Sequence, residues 1–137
     1  MSDTPNASAL TGPWPQAINA VTLFTEDLQQ TKEFYQAIFG LPIHFEDQNS
    51  AVFKFGSTLI NLLDIAEAGE LINPAKVANR DSGSRFVFTI GVDDVDAMSA
   101  ELVKRGVELL NGPMDRPWGI RTASFIDPAG CIWEIAQ

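Results

Sequence analysis

The chain has 137 residues, a formal net charge of −9 and 45% hydrophobic residues. That balance is typical of a globular domain with its own core, and the acidic charge argues against nucleic acid as a partner. No apolar run reaches the roughly 20 residues of a membrane span, and the first residues lack a signal-peptide pattern. We therefore expect a cytoplasmic protein with no membrane partner, and the single cysteine, Cys131, excludes an internal disulfide.

The first half of the chain contains one module of mixed secondary structure. Residues 1–16 are rich in proline, serine and threonine and predict an N-terminal arm, followed by a first module at residues 17–64. Asp27 has the position of a helix N-cap, and Gly40 ends the same helix. The predicted elements are a strand, a helix and three strands, at residues 18–24, 28–39, 42–47, 51–55 and 58–64.

The second half repeats this order. Residues 65–84 are predicted to be a linker with a short helical turn near residues 66–71, and a second module occupies residues 85–137. Its predicted elements are a strand, a helix and three strands, at residues 85–92, 95–105, 107–110, 119–126 and 131–136. Asp94 caps the second helix and stands 67 residues after Asp27. This internal repeat predicts a single α+β domain, in which two tandem βαβββ modules form a curved mixed sheet with helices on its convex face.

The sheet face away from the helices is expected to form a trough shared by the two modules. By strand parity its side chains are Ala20, Thr22, Phe24, Leu59, Asn61, Leu63, Val87, Thr89, Thr122, Ser124, Ile132 and Glu134, with Trp118 and Ile120 added if their strand begins early. An apolar cavity with few polar groups is typical of a small-molecule site, and a filled core is the alternative. Glu134 favours the pocket, because an unpaired buried carboxylate is costly.

Three stretches carry a resemblance to the vicinal oxygen chelate superfamily, which includes glyoxalase I, bleomycin-resistance proteins, fosfomycin-resistance enzymes and extradiol dioxygenases. The stretches are AVTLFTEDLQQTKEFYQAIFGLP (20–42), FTIGVDDVDAMSAELVKRGVEL (88–109) and WGIRTASFIDPAGCIWE (118–134). The last of them, with the Asp127-Pro128-Ala129-Gly130 turn, most resembles the bleomycin-resistance and glyoxalase-like branch.

The resemblance implies four metal-ligand positions on strands that face the trough. In this chain they are occupied by Ala20, Asn61, Val87 and Glu134. Alkyl side chains cannot bind a metal, and an amide oxygen is a weak ligand, so we expect no metal and no other cofactor. His44, the only histidine, lies outside this set, and Arg121 has the opposite strand parity. Whether either residue reaches the trough is left open.

The resemblance implies a protein of bleomycin-resistance type that binds a small cationic or aromatic molecule in the trough without a metal. The net negative charge of the chain favours a cationic ligand. The expected ligand-binding residues are Thr22, Phe24, Asn61, Thr89, Trp118, Ser124 and Glu134. Bleomycin-resistance relatives are dimers whose clefts are completed by both chains, so the expected partners are a small molecule and a second copy of the chain.

Three other functions are left open. In the first, the protein is a metal-independent lyase or isomerase in which Glu134 is the catalytic general base. In the second, it is a metal-dependent lyase or dioxygenase of the same superfamily. In the third, the site is vestigial and the protein has a structural role.

Overall fold

The computed structural model describes Pro13 and residues 17–137, so the predicted N-terminal arm lies almost wholly outside the described residues. In chain order the elements are β1 (Ala20–Thr25), α1 (Leu28–Phe39), β2 (Phe45–Glu46), β3 (Ser50–Phe55), β4 (Thr58–Asp64), α2 (Ala68–Ile72), β5 (Val87–Gly91), α3 (Val95–Lys104), β6 (Leu109–Asp115), β7 (Arg121–Ile126) and β8 (Ile132–Ala136). Two short 3₁₀ helices, Ile65–Glu67 and Arg80–Ser82, lie between β4 and β5. Among the helices described here, none is long and apolar enough to cross a membrane.

Each module forms its own four-stranded mixed sheet. The strand order is β1-β4-β3-β2 in the first sheet and β5-β8-β7-β6 in the second. In both sheets the first strand of the module runs parallel to the last, and the remaining pairs are antiparallel. This common order confirms the predicted α+β fold of two tandem βαβββ modules. The eight strands are divided between two sheets, and β1 and β5 each lie at a sheet edge.

The two long helices begin at the predicted caps. The Asp27 side chain accepts a hydrogen bond from the backbone N–H of Gln30 at 3.0 Å, and Gly40 ends α1 with φ 67°. Asp94 caps α3 in the same way, accepting from Ala97 N–H at 3.0 Å. Each cap satisfies one of the N–H groups that a helix start leaves without an intrahelical partner. The internal repeat therefore extends to the local chemistry of the helix starts.

Two strands differ in extent from the sequence prediction. β2 has only two residues, and Pro42, at the predicted start of this strand, has no N–H group to donate to a neighbouring strand. β6 runs on to Asp115, past the predicted end at residue 110. Gly112 and Pro113 lie within β6, which accommodates them with an irregularity in its register with β7. Gly112 has φ 87°, and a Cβ there would meet the Thr122 carbonyl and lie 2.7 Å from the Ala123 Cα.

The two modules share one hydrophobic core between their helix-bearing sheet faces. Buried side chains of the first sheet, such as Phe53, belong to the same cluster as Phe125 and Trp133 of the second. Aromatic rings cross from module to module: the Trp133 ring centroid lies 4.8 Å from that of Phe39 and 5.2 Å from that of Phe55. Because the modules meet through these faces, the opposite face of each sheet points away from the core.

A buried carboxylate joins the modules at the edge of this core. Asp127 is 1% exposed and accepts hydrogen bonds from the Tyr35 hydroxyl at 2.8 Å and the Trp133 indole at 3.2 Å. Its other oxygen accepts from the N–H groups of Ala129 and Cys131, both at 2.9 Å. Burial raises the pKa of Asp127, and these donors oppose that rise. The predicted turn at residues 127–130 is therefore tied directly to α1.

We expect Tyr35→Phe to destabilise the protein by about 1.5–3 kcal/mol, the usual contribution of a hydrogen bond to a charged group. The substitution keeps the aromatic contacts and removes only the donor that reaches Asp127 across the modules. Urea unfolding followed by circular dichroism measures the effect. Ser57→Ala removes an exposed hydroxyl in the β3–β4 turn and serves as the matched control. Equal unfolding free energies for Tyr35→Phe and wild type would contradict the expectation.

Cys131 should be unreactive in the folded protein. Burial raises the pKa of its thiol to about 12, from an ordinary value of 9.0. Only the thiolate is nucleophilic, so Ellman's reagent at pH 8 should react slowly with the native protein and rapidly in guanidinium chloride. Between pH 9 and 12 the unfolded thiol ionises while the folded thiol stays protonated, so stability should fall as pH rises through that window. Native and unfolded protein reacting at equal rates would show that the thiol is accessible.

Candidate functional site

The residues predicted to line a trough lie on the two sheet faces that point away from the core. The first sheet carries Ala20, Thr22, Phe24, Leu59, Asn61 and Leu63, and the second carries Val87, Thr89, Thr122, Ser124, Ile132 and Glu134. The structure does not bring these two sets together within one chain. In the part of the chain that is described, no hydrogen bond joins a member of one set to a member of the other. The expected shared trough is therefore replaced by two separate faces, because the aromatic core joins the modules through their other sides.

The face of the first sheet carries a row of neighbouring side chains across its four strands. Thr22 lies opposite Asn61, Asn61 opposite Val52, and Val52 opposite Phe45. The Asn61 amide nitrogen donates to the Thr22 hydroxyl at 3.4 Å. The Asn61 amide oxygen is buried and has no hydrogen-bond partner among the described residues. This face therefore carries one buried, unsatisfied acceptor on β4, and two strands away on β2 it carries an exposed aromatic ring, Phe45, which is 58% exposed.

The face of the second sheet has the equivalent row. Thr89 lies opposite Glu134, Glu134 opposite Ser124, and Ser124 opposite Asn111. The Thr89 hydroxyl donates to the Glu134 carboxylate at 2.9 Å. Glu134 is half-buried and makes no ion pair in the described part of the chain. One carboxylate oxygen is thus held by a hydroxyl, and the charge is left without an opposite charge.

Arg116, which the sequence analysis missed, also lies over this second face. It belongs to the turn between β6 and β7, and its Nε donates to the Thr122 hydroxyl at 2.8 Å. Its Nη2 donates to the Asn111 side-chain oxygen at 3.0 Å. Strand parity cannot place a residue outside a strand. The signal that could have indicated it is a cation at a tight turn, beside a strand whose outer face carries hydroxyls.

The remaining sequence candidates lie elsewhere or at the margin. Trp118 lies in the turn before β7, is 68% exposed, and its ring centre is 5.9 Å from the Arg116 guanidinium carbon. Arg121 points to the helix side, where it pairs with Asp96 at 2.9 Å and Asp115 at 3.0 Å. Hydrogen bonding from Arg121 lowers the pKa of the Asp96 carboxyl. His44 is exposed ahead of β2, and no described contact joins its side chain to either row.

The four positions that the resemblance assigns to metal ligands do not fit a metal. Ala20 and Asn61 lie on the first sheet, and Val87 and Glu134 lie on the second. Within the described residues no group of three or more His, Cys, Asp or Glu side chains could hold an ion. Even if two chains brought the faces together, two of the four side chains would be alkyl groups without a lone pair. This donor set does not satisfy a divalent cation, which takes three or more protein ligands in such sites.

A separate groove of about 600 Å³ lies on the core side, between the C-terminal end of α1, the β3–β4 turn and α3. Its walls are mainly apolar and include Phe39, Phe55 and Leu102. Of the charged side chains that line it, Arg105 donates to Glu101 at 2.8 Å and to the Ile38 carbonyl at 2.8 Å. The groove is therefore a feature of the packing between modules. Of the expected ligand-binding residues, only Thr89, on the exposed edge strand β5, is among those that line it.

Comparisons with known proteins agree with this architecture. The sequence profile of the Glyoxalase/Bleomycin resistance protein/Dioxygenase superfamily matches residues 17–135. The uncharacterized protein YraH of Bacillus subtilis is 33% identical over 119 residues, which cover 84% of this chain and 93% of YraH. The glutathione transferase FosA of Serratia marcescens is 25% identical over 120 residues, which cover 88% of this chain and 79% of FosA.

Solved structures show the same fold. The crystal structure of a glyoxalase/bleomycin resistance protein/dioxygenase from Nocardioides has a TM-score of 0.82 at 24% identity, covering 95% of this chain and 88% of that one. A lactoylglutathione lyase from Agrobacterium tumefaciens has a TM-score of 0.72 at 24% identity. The match covers 89% of this chain and 93% of the lyase. The profile match spans most of the chain and agrees with the paired βαβββ modules. The chain therefore belongs to the glyoxalase/bleomycin resistance protein/dioxygenase superfamily, as the resemblance of its sequence predicted.

Proposed function

We propose that this protein binds a small molecule with a cationic group at Glu134, without a metal. The observation that carries the proposal is the hydrogen bond from Thr89 to a half-buried Glu134 carboxylate that has no described ion pair. A carboxylate in such a setting gains most from a ligand cation, which supplies both an opposite charge and a donor. The net charge of −9 would also raise the local concentration of a cation.

The ligand would be enclosed by a second copy of the chain. Each sheet has an open outer face with exposed apolar side chains, including Phe45 on the first and Val87 on the second, the latter 50% exposed. Each sheet also has two edge strands, β1 and β2 in the first sheet and β5 and β6 in the second. Exposed apolar faces and open strand edges favour association. If the first face of one chain covered the second face of another, Asn61 and its unsatisfied oxygen would lie near the Thr89–Glu134 pair.

A second candidate is a metal-independent lyase or isomerase. The Thr89 hydroxyl orients one oxygen of Glu134, and no described group occupies the other. A fixed carboxylate with one free oxygen is what a general base needs when it removes a proton from a bound substrate. A metal-dependent reaction is not favoured, because the four family ligand positions hold two alkyl side chains.

Glu134→Gln tests the binding proposal directly. The substitution keeps the shape and the hydrogen bond from Thr89 but removes the charge, so the fold should be retained. Hits from a thermal-shift screen of cationic aromatic compounds should lose roughly 1.5–3 kcal/mol of binding free energy, measured by calorimetry. Glu108→Gln, at an exposed position between α3 and β6, is the charge-matched control and should bind as wild type does.

The same experiment separates the two candidate functions. Unchanged affinity in Glu134→Gln would show that the carboxylate is not the anchor. Retained binding with loss of a measured turnover would support the general-base function instead. Binding that disappears on treatment with a chelator would overturn metal independence.

Homodimerisation should depend on the outer sheet faces. Val87→Glu places a charge on the open face of β5, and we expect it to shift the protein from dimer to monomer at micromolar concentration. Leu71→Glu, at a 60% exposed position on α2 away from both faces, is the matched control and should remain dimeric. Light scattering coupled to size exclusion gives the mass of each variant. A monomeric wild type would refute the dimer, and a dimeric Val87→Glu would place the interface elsewhere.

A further inference from the structure

We infer that the ligand also carries an anionic group, which Arg116 binds, so that the ligand class is a small zwitterion such as an amino acid with an aromatic side chain. This inference rests on the proposed site at Glu134 and adds a second anchor to it. It starts from the fact that Arg116 and Glu134 lie over the same outer face of the second sheet, and that no described ion pair neutralises either.

The Arg116 guanidinium is held in place by neutral partners. Thr122, which is fully buried, and Asn111 each accept one of its hydrogen bonds. A guanidinium has five N–H donors, so three remain beyond these two contacts. The planar fork of these donors matches the two oxygens of a carboxylate. The side chain is therefore fixed in orientation while most of its donor capacity is unused in the described structure.

Two other arginines differ from Arg116 in having carboxylate partners. Asp115 is adjacent in sequence to Arg116, yet it pairs with Arg121 at 3.0 Å. Arg121 itself is shared between two carboxylates, and Arg105 is paired with Glu101. The Arg116 side chain, by contrast, donates to a hydroxyl and an amide oxygen and lies beside the Trp118 ring, with no carboxylate partner among the described residues. Those contacts would serve a structural role alone, and the proposal adds an anion from outside the chain as the partner of the Arg116 charge.

The register of the strands relates Glu134 to Thr122, the residue whose hydroxyl holds Arg116. Ser124 pairs with Glu134 and Thr122 pairs with Ala136, so Thr122 and Glu134 are diagonal neighbours on adjacent strands. Diagonal neighbours are about 7–8 Å apart. The Arg116 guanidinium is therefore hydrogen bonded to a residue on the strand next to that of Glu134, a spacing on the scale of a small molecule with an ammonium and a carboxylate.

The third element of the proposed ligand, an aromatic or apolar side chain, would contact Trp118. Its indole is 68% exposed and lies beside the guanidinium that would hold the carboxylate. An exposed tryptophan beside a fixed cation offers a flat apolar surface on which an aromatic group can stack. Glu134 would therefore bind the cation of one small molecule, Arg116 its anion and Trp118 its side chain.

Three probes that share one phenyl group test the inference by calorimetry. L-phenylalanine carries both charges, 2-phenylethylamine carries only the cation, and 3-phenylpropanoate carries only the anion. Wild-type protein should bind phenylalanine at least about tenfold more tightly than either single-charge probe. Phenylalanine binding no tighter than the better single-charge probe would overturn the inference.

Two variants assign the charges to their anchors. Arg116→Gln should weaken phenylalanine about tenfold and leave 2-phenylethylamine unchanged. Arg116→Lys keeps the charge and should retain part of the preference for phenylalanine over 2-phenylethylamine. Lys104→Gln removes an exposed positive charge at the end of α3 and should leave all three affinities unchanged. Thermal melts check that each variant is folded.

The outcomes distinguish this inference from the proposed function. If Arg116→Gln weakens phenylalanine and 2-phenylethylamine equally, Arg116 has only a structural role and the inference is wrong. If 2-phenylethylamine binds in a way that depends on Glu134 but the added carboxylate gives no gain, the cation site stands and the zwitterion does not. If Glu134→Gln leaves 2-phenylethylamine unchanged, the proposed function itself fails.

Discussion

The buried carboxylate of Asp127 determines how the two halves of this protein meet. It is the residue through which the β7–β8 turn of the second module is bonded to Tyr35 in α1 of the first. A carboxylate in an apolar interior is costly, and four donors offset that cost. Removing any one donor leaves a charged group partly unsatisfied. The hydrogen bonds therefore require one particular arrangement of the modules, which aromatic packing alone does not. Burial, together with the nearby Asp127 carboxylate, also raises the pKa of Tyr35, so its hydroxyl remains a donor.

The same packing decides which surfaces are left for function. Once the helix-bearing faces are joined by Trp133 and Phe39, the other face of each sheet must point outward. Thr22 and Asn61 then belong to one open face, and Thr89 and Glu134 to another. Each face carries part of the candidate residues, and neither encloses a ligand alone. Under the proposed function, ligand binding and association of chains would depend on each other, because one interface would serve both.

Much of the fold follows from local patterns in the sequence. Asp27, Gly40 and Asp94 mark helix ends by chemistry that acts over a few residues, and the structure has them in those roles. Strand parity also assigned Thr89 and Glu134 to one face correctly. Parity does not say which faces of two sheets will meet, because that depends on contacts between residues far apart in sequence. Asp127 and Tyr35 are 92 residues apart, and no local pattern predicts their hydrogen bond.

The residues that local patterns missed lie at irregular positions. Arg116 acts from a turn, and its anchor Asn111 reaches the outer face only because β6 changes register near Gly112. The same irregularity explains why the predicted strand ended too early. Periodicity describes regular strands, whereas a site often uses the places where a strand departs from regularity. Trp118 was expected to be exposed near a turn, and it is 68% exposed there, but its neighbour Arg116 was not predicted.

Gly112 limits how this site can be altered by evolution or by protein engineering. Its positive φ and the closeness of Ala123 leave no room for a side chain, so substitution there would push β6 away from β7. That shift would also move Asn111 and release one of the two contacts that orient Arg116. The turn residue Trp118, by contrast, has an exposed side chain and can vary without disturbing the sheet. Under the proposed function, ligand preference would therefore change most readily through substitutions in the β6–β7 turn, while the irregular strand that supports the turn has to be kept.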